Sequence, residues 1–309
     1  MKLFPSEADA KQPENPCNPI IHLHKLRVDT PYIYKQSMLF KGTERKKIIC
    51  SKTHYFVFLL LTRHNIYVIL TAHHKIWRLE VNIQGIMKLS LLDYPGKVAC
   101  TLFTGGCNLR CPFCHNATLV KNPIAEPDMT NEVLAYLESR RSLLDGVCIT
   151  GGEPLIQPGL EDFIGKIRDM GYSVKLDTNG SFPDKLSHIL EAELVDYIAM
   201  DVKSAPETYG AAIGADTDFS VFARSIELIK KSSVPHEFRT TAVKGIHTVS
   251  DFESIGKLLG DEPYFIQSFI DSGNLLGGGC SAFSADEMKA LLEAVLPFTP
   301  RASLRGTDV

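Results

Sequence analysis

Between residues 97 and 300, short apolar or β-branched runs alternate six times with helical stretches, and this alternation constrains the fold more than any other feature. Strands that alternate with helices predict a parallel sheet with right-handed crossovers. The predicted strands are residues 98–104, 146–150, 172–178, 196–202, 236–243 and 264–269. The predicted helices are residues 131–144, 160–170, 184–193, 219–231, 250–259 and 284–296. The chain is therefore predicted to be an α/β protein.

A cysteine-containing loop follows the first of these strands. Six strand–helix units with such a loop favour an open, partial (β/α)6 barrel over a Rossmann sheet. In barrels of this kind the functional site forms at the carboxyl ends of the strands. The polar motifs of this sequence fall at those ends: residues 105–116, 149–154, 176–180, 200–204 and 237–241.

Residues 1–80 differ in character from the rest of the chain. They carry 13 Lys/Arg against 6 Asp/Glu, a net charge of +7, whereas residues 81–309 carry 20 against 30, a net of −10. Residues 1–50 contain five prolines and no sustained periodicity, so we predict an irregular structure there. Residues 54–71 hold two β-rich runs that suit a hairpin. The predicted domains are an irregular basic extension, residues 1–80, and a barrel, residues 81–309.

The sequence also predicts the cellular compartment of the protein, and it argues against nucleic-acid and membrane partners. An acidic barrel argues against a nucleic-acid partner, because phosphate neutralisation needs clustered Lys and Arg. Residues 55–61 form the most apolar run, and Arg63 and His64 follow it, so no stretch is long enough to span a membrane. The start of the chain does not resemble a secretory signal. We therefore expect a cytoplasmic protein with reduced thiols, in which clustered cysteines indicate metal binding or catalysis.

Cys107, Cys111 and Cys114 form such a cluster, with the spacing Cys-x3-Cys-x2-Cys on one short loop. Three thiolates can hold three corners of a cubane iron–sulfur cluster and leave the fourth iron open to an exchangeable ligand. The alternative is a zinc-bound structural or interaction module, but a closed zinc site needs four ligands and the adjacent His115 is poorly placed to be the fourth. We expect the other cysteines to be small buried hydrophobic residues: Cys17, Cys50, Cys100, Cys148 and Cys280.

The loop, with an aromatic residue, Phe113, just before its last cysteine, resembles that of the radical S-adenosylmethionine enzymes. Residues 82–116 are similar to the activating proteins of anaerobic, class III ribonucleotide reductases, which are relatives of pyruvate formate-lyase activase. The resemblance implies a radical SAM partial barrel with a [4Fe-4S] cluster whose open iron is chelated by S-adenosylmethionine. One electron, from a flavodoxin- or ferredoxin-type donor, would then give a 5′-deoxyadenosyl radical that abstracts hydrogen from a glycine of a partner enzyme. Phe113 and His115 are among the implied cofactor contacts.

The motif ITGGEP, residues 149–154, ends the second predicted strand. Gly151 and Gly152 let the backbone approach a ligand closely, and Glu153 offers an acceptor to an ammonium group. The resemblance assigns this motif to the methionyl amino group of S-adenosylmethionine. The alternative is a glycine turn capped by a surface glutamate.

Two further motifs end the third and fourth strands. Asp177, Thr178 and Asn179 present oxygens at the barrel mouth, and Asp201 and Lys203 point to the same face because they are two residues apart. The relatives place cofactor contacts around this Asp-x-Lys pair, and a monovalent cation near Asp177, Thr178 and Asp201. The alternative is an internal Asp–Lys salt bridge.

Arg239 lies on the fifth strand, where its planar guanidinium suits bidentate binding of the methionyl carboxylate. The alternative is an ion pair at the sheet edge. Glycyl-radical activases often carry a histidine after the sixth strand, but this chain has Gln267 and Ser268 there. We expect His247, after the fifth strand, to be an exposed loop residue.

Three functions remain in competition. The first is an activating enzyme for a glycyl radical enzyme, most simply anaerobic ribonucleotide reductase. The second is a radical enzyme acting on a small molecule or on another glycyl radical enzyme such as a pyruvate formate-lyase, and the third is the zinc module. A single cysteine cluster favours the first.

Val81 stands where the relatives begin with Met, and a GTG codon initiates as Met but reads internally as Val. We therefore hypothesise that translation begins at Val81, and the alternative is that residues 1–80 are a genuine extra domain. An intact mass near 34.3 kDa would contradict the hypothesis.

Overall fold

A computed structural model describes residues 55–61, 66–72, 81–121, 129–271 and 273–306. The predicted irregular structure of residues 1–50 lies outside these ranges. The chain divides between residues 77 and 78 into two units, each of which is described by itself. In the first unit, β1 (Tyr55–Leu61) pairs with β2 (Ile66–Ala72) in an antiparallel sheet, with Tyr55 opposite Ala72.

The second unit is built on an eight-stranded sheet whose strands lie side by side in chain order. The first of these strands, β3, is antiparallel to β4, and all later pairs are parallel. The strands are β3 (Ile83–Ser90), β4 (Ala99–Thr104), β5 (Gly146–Gly151), β6 (Ser173–Thr178), β7 (Tyr197–Asp201), β8 (His236–Ala242), β9 (Tyr264–Ser268) and β10 (Ala302–Arg305).

Helices connect the parallel strands, and the sequence sets where they begin. Thr248 and Ser284 each cap a helix in a reciprocal capping box, with Asp251 and Glu287 as their respective partners. The helices are α1 (Ala117–Lys121), α2 (Thr130–Glu138), α3 (Leu160–Asp169), α4 (Pro183–Glu191), α5 (Tyr209–Ile213), α6 (Phe219–Lys231), α7 (Val249–Leu259) and α8 (Ala285–Val295). A 3-10 turn spans Pro154–Ile156. Within the described ranges, no helix is long and apolar enough to cross a membrane.

The predicted α/β fold with six strand–helix units is confirmed, and β4 to β9 fall within two residues of the predicted strands. The sequence analysis missed the two outer strands. In β3 only the terminal residues Ile83 and Ser90 are buried, and its register shifts twice, so it lacks the alternation that marks a half-buried strand. β10 has four residues, most of them half-exposed, which is too short to show a period.

The two faces of the sheet differ in chemistry. One face packs its apolar side chains under the helices, and Leu176, Ile198 and Phe238 there are fully buried. The other face carries charged side chains at alternate positions of β6, β7 and β8, because neighbouring residues of a strand point to opposite faces. These charged residues are Lys175, Asp177, Asp201, Glu237 and Arg239.

Candidate functional site

The cysteine loop follows β4 at the carboxyl end of the sheet, and hydrogen bonds anchor it to later parts of the chain. The Arg110 N–H donates to the Ile213 carbonyl at 2.8 Å, and the Gly277 N–H donates to the Pro112 carbonyl at 2.9 Å. The loop is therefore held from both α5 and the segment after β9.

The three thiols of the loop are shielded from solvent to different degrees. Cys111 is buried and Cys107 and Cys114 are half-buried. Burial raises the pKa of the Cys111 thiol to about 11 and also raises the pKa of Cys107, while the charge of Lys203 opposes both shifts. The Leu109 N–H donates to the Cys107 sulfur at 3.4 Å.

The donor set of the loop decides what it can hold. In the part of the chain that the structure describes, no three His, Cys, Asp or Glu side chains converge as ligands of a single ion would. Three cysteines on one loop are the donors that iron–sulfur clusters take. Their thiols would have to lose protons on binding, since the thiolate is the metal ligand. The residues present fit a cluster held by three cysteines.

The glycine turn at the end of β5 lies directly against the cysteine loop. The Gly152 N–H donates to the Thr104 carbonyl and the Glu153 N–H to the Gly106 carbonyl, each at 2.9 Å. A Cβ on Gly152 would lie 1.8 Å from the Gly106 oxygen, and Gly151 has a φ of +114°. Only glycine allows this close approach at both positions.

Glu153 is fully buried, so the alternative of a glycine turn capped by a surface glutamate is wrong. Its carboxylate accepts hydrogen bonds from the Leu155 N–H at 3.0 Å, the Thr178 hydroxyl at 2.8 Å and the Asn179 N–H at 2.7 Å. Burial raises the pKa of this carboxyl group to about 7, although the three hydrogen bonds lower it. A carboxylate has about four acceptor positions, so these three hydrogen bonds use most of its capacity.

Asn179 extends this connection back to the cysteine loop. Its amide nitrogen Nδ2 lies 3.7 Å from the Cys107 sulfur and donates to Asn108 Oδ1 at 3.2 Å. The structure thus brings together Cys107, Gly152, Glu153, Thr178 and Asn179 at the ends of β4, β5 and β6.

The remaining charged site residues form one ion-pair network, in which Lys175 is buried and the other members are half-buried. Arg239 Nε donates to Asp201 Oδ1 at 2.9 Å, and Arg239 Nη1 donates to Asp177 Oδ2 at 3.2 Å. Lys203 Nζ lies 3.0 Å from Asp201 Oδ2, and Lys175 Nζ pairs with Asp177. The internal Asp–Lys salt bridge considered from the sequence is therefore present.

Arg239 does not form an ion pair at the sheet edge, so that alternative is wrong. Its strand, β8, has two strands on one side and five on the other, which places Arg239 inside the sheet and not at its edge. Burial would raise the pKa of Asp177 and of Asp201, but Arg239 and a lysine beside each carboxylate lower both. The network is consequently charged at neutral pH, with two of the five Arg239 N–H donors committed to these carboxylates.

His247 is buried, not exposed as the sequence analysis expected. Its Nδ1 accepts the Val243 N–H at 3.0 Å, and its Nε2 lies 2.8 Å from the Lys203 carbonyl oxygen. A carbonyl accepts only, so the neutral tautomer carries its proton on Nε2. The ring also stands edge-on to Phe113 of the cysteine loop, 6.1 Å between centroids. The ring is buried because it lies between Phe113 and Phe252, whose centroid is 5.7 Å from that of His247.

The other sequence-predicted residues differ in their exposure to solvent. Phe113 is buried within the core, whereas His115 is exposed next to Cys114. Cys100 and Cys148 are buried as expected, but Cys280 is half-buried, and Cys17 and Cys50 lie outside the described residues. Sequence reasoning missed Lys175 and Glu237, since a charged residue inside a strand run gives no sign of its partner.

The chain resembles proteins of known family. The model of the Radical SAM superfamily matches residues 101–259, which is about half of the chain. A relative from Methanocaldococcus jannaschii, named as a glycyl-radical enzyme activating enzyme, is 33% identical over 196 residues, covering 60% of this chain and 79% of the relative.

Two further relatives match shorter segments. The 7-carboxy-7-deazaguanine synthase of Methanopyrus kandleri is 36% identical over 32% of this chain and 46% of its own length. The pyruvate formate-lyase-activating enzyme of Staphylococcus aureus is 33% identical over 40% of this chain and 54% of its own length. Among solved structures, a radical SAM methyltransferase from Sphaerobacter thermophilus shares the fold, with a TM-score of 0.56 and 14% identity over 70% of this chain and 68% of that one.

Proposed function

This chain belongs to the radical SAM superfamily, and we propose that it is an activating enzyme that generates a glycyl radical on a partner enzyme. As a radical SAM enzyme, it takes a [4Fe-4S] cluster and S-adenosylmethionine as cofactors. When bound and reduced, these cofactors supply a 5′-deoxyadenosyl radical by cleavage of the sulfonium C–S bond. The observation that carries the activating role is the likeness to the M. jannaschii protein over most of that relative's length.

The residues of the cysteine loop hold and shield the cluster. Cys107, Cys111 and Cys114 are its three protein ligands, and Asn179 directs an amide N–H toward the Cys107 sulfur. Such a hydrogen bond to a ligand sulfur tunes the potential of the cluster and fixes the orientation of the ligand.

The ends of β5 to β8 bind S-adenosylmethionine. The backbone of Gly151 and Gly152 receives the methionyl amino group, and the buried Glu153 carboxylate holds this turn in place. Arg239 and Lys203 supply positive charge for the carboxylate of the cofactor. Holding the cofactor in one orientation lets the radical form within reach of the target hydrogen, and this positioning dominates the rate.

We also propose that the carboxylates of the network bind a cation. Asp177 and Asp201, with Thr178, supply oxygen ligands of the kind that hard cations prefer. A monovalent cation would bind to these oxygens beside the cofactor carboxylate.

Anaerobic ribonucleotide reductase is the proposed partner, since residues 82–116 resemble the activating proteins of that class. The electron donor is a flavodoxin- or ferredoxin-type protein, and the reduced thiols suit the cytoplasm. A second candidate is a radical enzyme acting on a small molecule, which the likeness to 7-carboxy-7-deazaguanine synthase favours.

The test is an anaerobic incubation of the reconstituted enzyme with dithionite, S-adenosylmethionine and the catalytic subunit of anaerobic ribonucleotide reductase. We expect 5′-deoxyadenosine, methionine and a doublet glycyl radical signal in the EPR spectrum. Two parallel incubations, one with pyruvate formate-lyase and one with a reductase whose radical glycine is replaced by alanine, identify the partner and the target residue. Full cleavage without a radical on either partner would replace the activating role with the small-molecule role.

A further inference from the structure

A further carboxylate, that of Glu237, is buried on β8 two residues before Arg239 and on the same face of the sheet. It is 1% exposed, and three hydrogen bonds satisfy it. Arg305 donates from Nη1 to Oε1 and from Nη2 to Oε2, both at 2.9 Å, and the Tyr197 hydroxyl donates to Oε2 at 3.2 Å. The two arginine bonds form the bidentate geometry that binds a carboxylate most strongly.

Glu237 also faces the guanidinium that the candidate site uses. Its Oε1 lies 4.0 Å from Arg239 Nη1, the same nitrogen that donates to Asp177 at 3.2 Å. Arg239 is therefore surrounded by three carboxylates, two of which it contacts directly. A buried carboxylate without a partner is costly, so Glu237 would draw in the nearest cation if Arg305 were lost.

We propose that Arg305 is a positioning residue for the cofactor site: by holding Glu237, it leaves Arg239 free to orient Asp177 and Asp201. The proposal rests on the proposed function insofar as these two carboxylates and Arg239 bind S-adenosylmethionine. Arg305 itself lies one strand beyond β9 and acts only through Glu237.

The surroundings of Arg305 suggest a substitution that removes its charge and keeps its packing. Its guanidinium carbon lies 3.7 Å from the centroid of the Phe265 ring, and its side chain is 36% exposed. Arg305→Met keeps apolar contact with Phe265 and removes the charge. Arg301→Met is the matched control, since Arg301 is exposed four residues earlier on the same segment.

The experiment measures the Kd of S-adenosylmethionine for the reconstituted holoenzyme by calorimetry, with iron content and thermal unfolding measured on each variant. We expect Arg305→Met to raise the Kd about tenfold, the scale of one lost favourable ion-pair arrangement, with iron content unchanged. Arg301→Met should leave the Kd unchanged.

The double variant Glu237→Gln/Arg305→Met tests whether the unpaired charge of Glu237 is the cause of the raised Kd. Without the Glu237 charge nothing competes for Arg239, so the Kd should return to within about threefold of the wild-type value. A merely structural role for Arg305 predicts instead that Arg305→Met lowers the thermal stability and leaves the Kd of the folded holoenzyme unchanged.

Either of two results would overturn the proposal: an unchanged Kd in Arg305→Met, or a raised Kd that Glu237→Gln does not rescue. Both leave the proposed function standing as long as the wild-type enzyme binds and cleaves S-adenosylmethionine. A wild-type enzyme that does not bind it contradicts the proposed function instead.

Discussion

The main-chain N–H of Asn179 donates a 2.7 Å hydrogen bond to the fully buried carboxylate of Glu153, joining the ends of two neighbouring strands. Through its side chain, Asn179 also reaches the Cys107 sulfur at 3.7 Å. The ends of β5 and β6 and the cysteine loop are therefore fixed relative to one another before any ligand binds. Such preorganisation lowers the cost of ordering a site around its cofactor.

Replacing Cys107, Cys111 or Cys114 by alanine should abolish cleavage of S-adenosylmethionine. Two thiolates cannot hold a cubane with one open iron in the state that the chemistry requires. Iron content and 5′-deoxyadenosine formation after anaerobic reconstitution measure the effect.

Cys148→Ala and Cys280→Ala are the matched controls for the ligand variants, because neither residue lies in the loop. Both should keep their iron. The ligand assignment is wrong if Cys280→Ala loses iron and Cys107→Ala does not.

Gly152→Ala should destabilise the protein and lower its iron content. The new Cβ would meet the Gly106 carbonyl oxygen at 1.8 Å, so the glycine turn and the cysteine loop would have to separate. A clash with backbone in a packed region costs on the order of 2 kcal/mol. Chemical denaturation and iron analysis give the two readouts.

Gly165→Ala serves as its control, since Gly165 lies within α3 and a Cβ there meets nothing within 4 Å. Alanine in a helix interior should raise the free energy of unfolding by up to about 1 kcal/mol. Equal behaviour of the two variants would mean that the approach of Gly152 to the loop is not tight.

Glu153 should make the stability of the iron-free protein fall as the pH rises. Its pKa is raised from 4.5 to about 7 by burial, so the folded state keeps a proton that the unfolded chain has already lost. Between about pH 5 and pH 8, the free energy of unfolding of wild type minus that of Glu153→Gln should fall by on the order of 3 kcal/mol. Denaturation at a series of pH values measures this difference, and a constant difference would show that the carboxyl group is ionised throughout.

His247→Phe should destabilise the protein by about 3 kcal/mol, because it retains the ring but leaves the buried Val243 N–H and Lys203 carbonyl without their partner. The same substitution at His188, which is exposed on α4, should change stability by no more than about 0.5 kcal/mol. Urea denaturation compares the two variants. Similar small effects would indicate that water replaces the His247 ring nitrogens.

The parts of the site that the sequence predicts are those encoded over a few neighbouring residues. The spacing of Cys107, Cys111 and Cys114 is local, and the motifs at residues 149–154 and 176–180 follow strands whose apolar runs are plain. Placement at the carboxyl ends of parallel strands then follows from the topology. The structure confirms this arrangement of elements.

The rest depends on contacts between distant residues. From the sequence alone, Glu153 could be a surface residue that caps a turn. Its burial follows from its hydrogen bonds to Thr178 and Asn179 at the end of the next strand, which the local sequence does not show. Arg305 and Glu237 pair across 68 positions, and a charged residue gives no local sign of such a partner. His247 shows the same limit, since the polar segment around it is typical of an exposed loop.

The strands of the second unit lie side by side in chain order, so each strand pairs with the strands that come before and after it in the sequence. Each pairing joins consecutive strands, so loop-closure entropy is kept small and the sheet can grow in the order of synthesis. β10 is the last strand added, and it carries Arg305. A nascent chain that has reached β9 would already contain the cysteine loop and the glycine turn, but its Glu237 would still compete for Arg239. Full cofactor affinity would then arise only in a completed sheet, and maturation of the enzyme would be coupled to the end of its own folding.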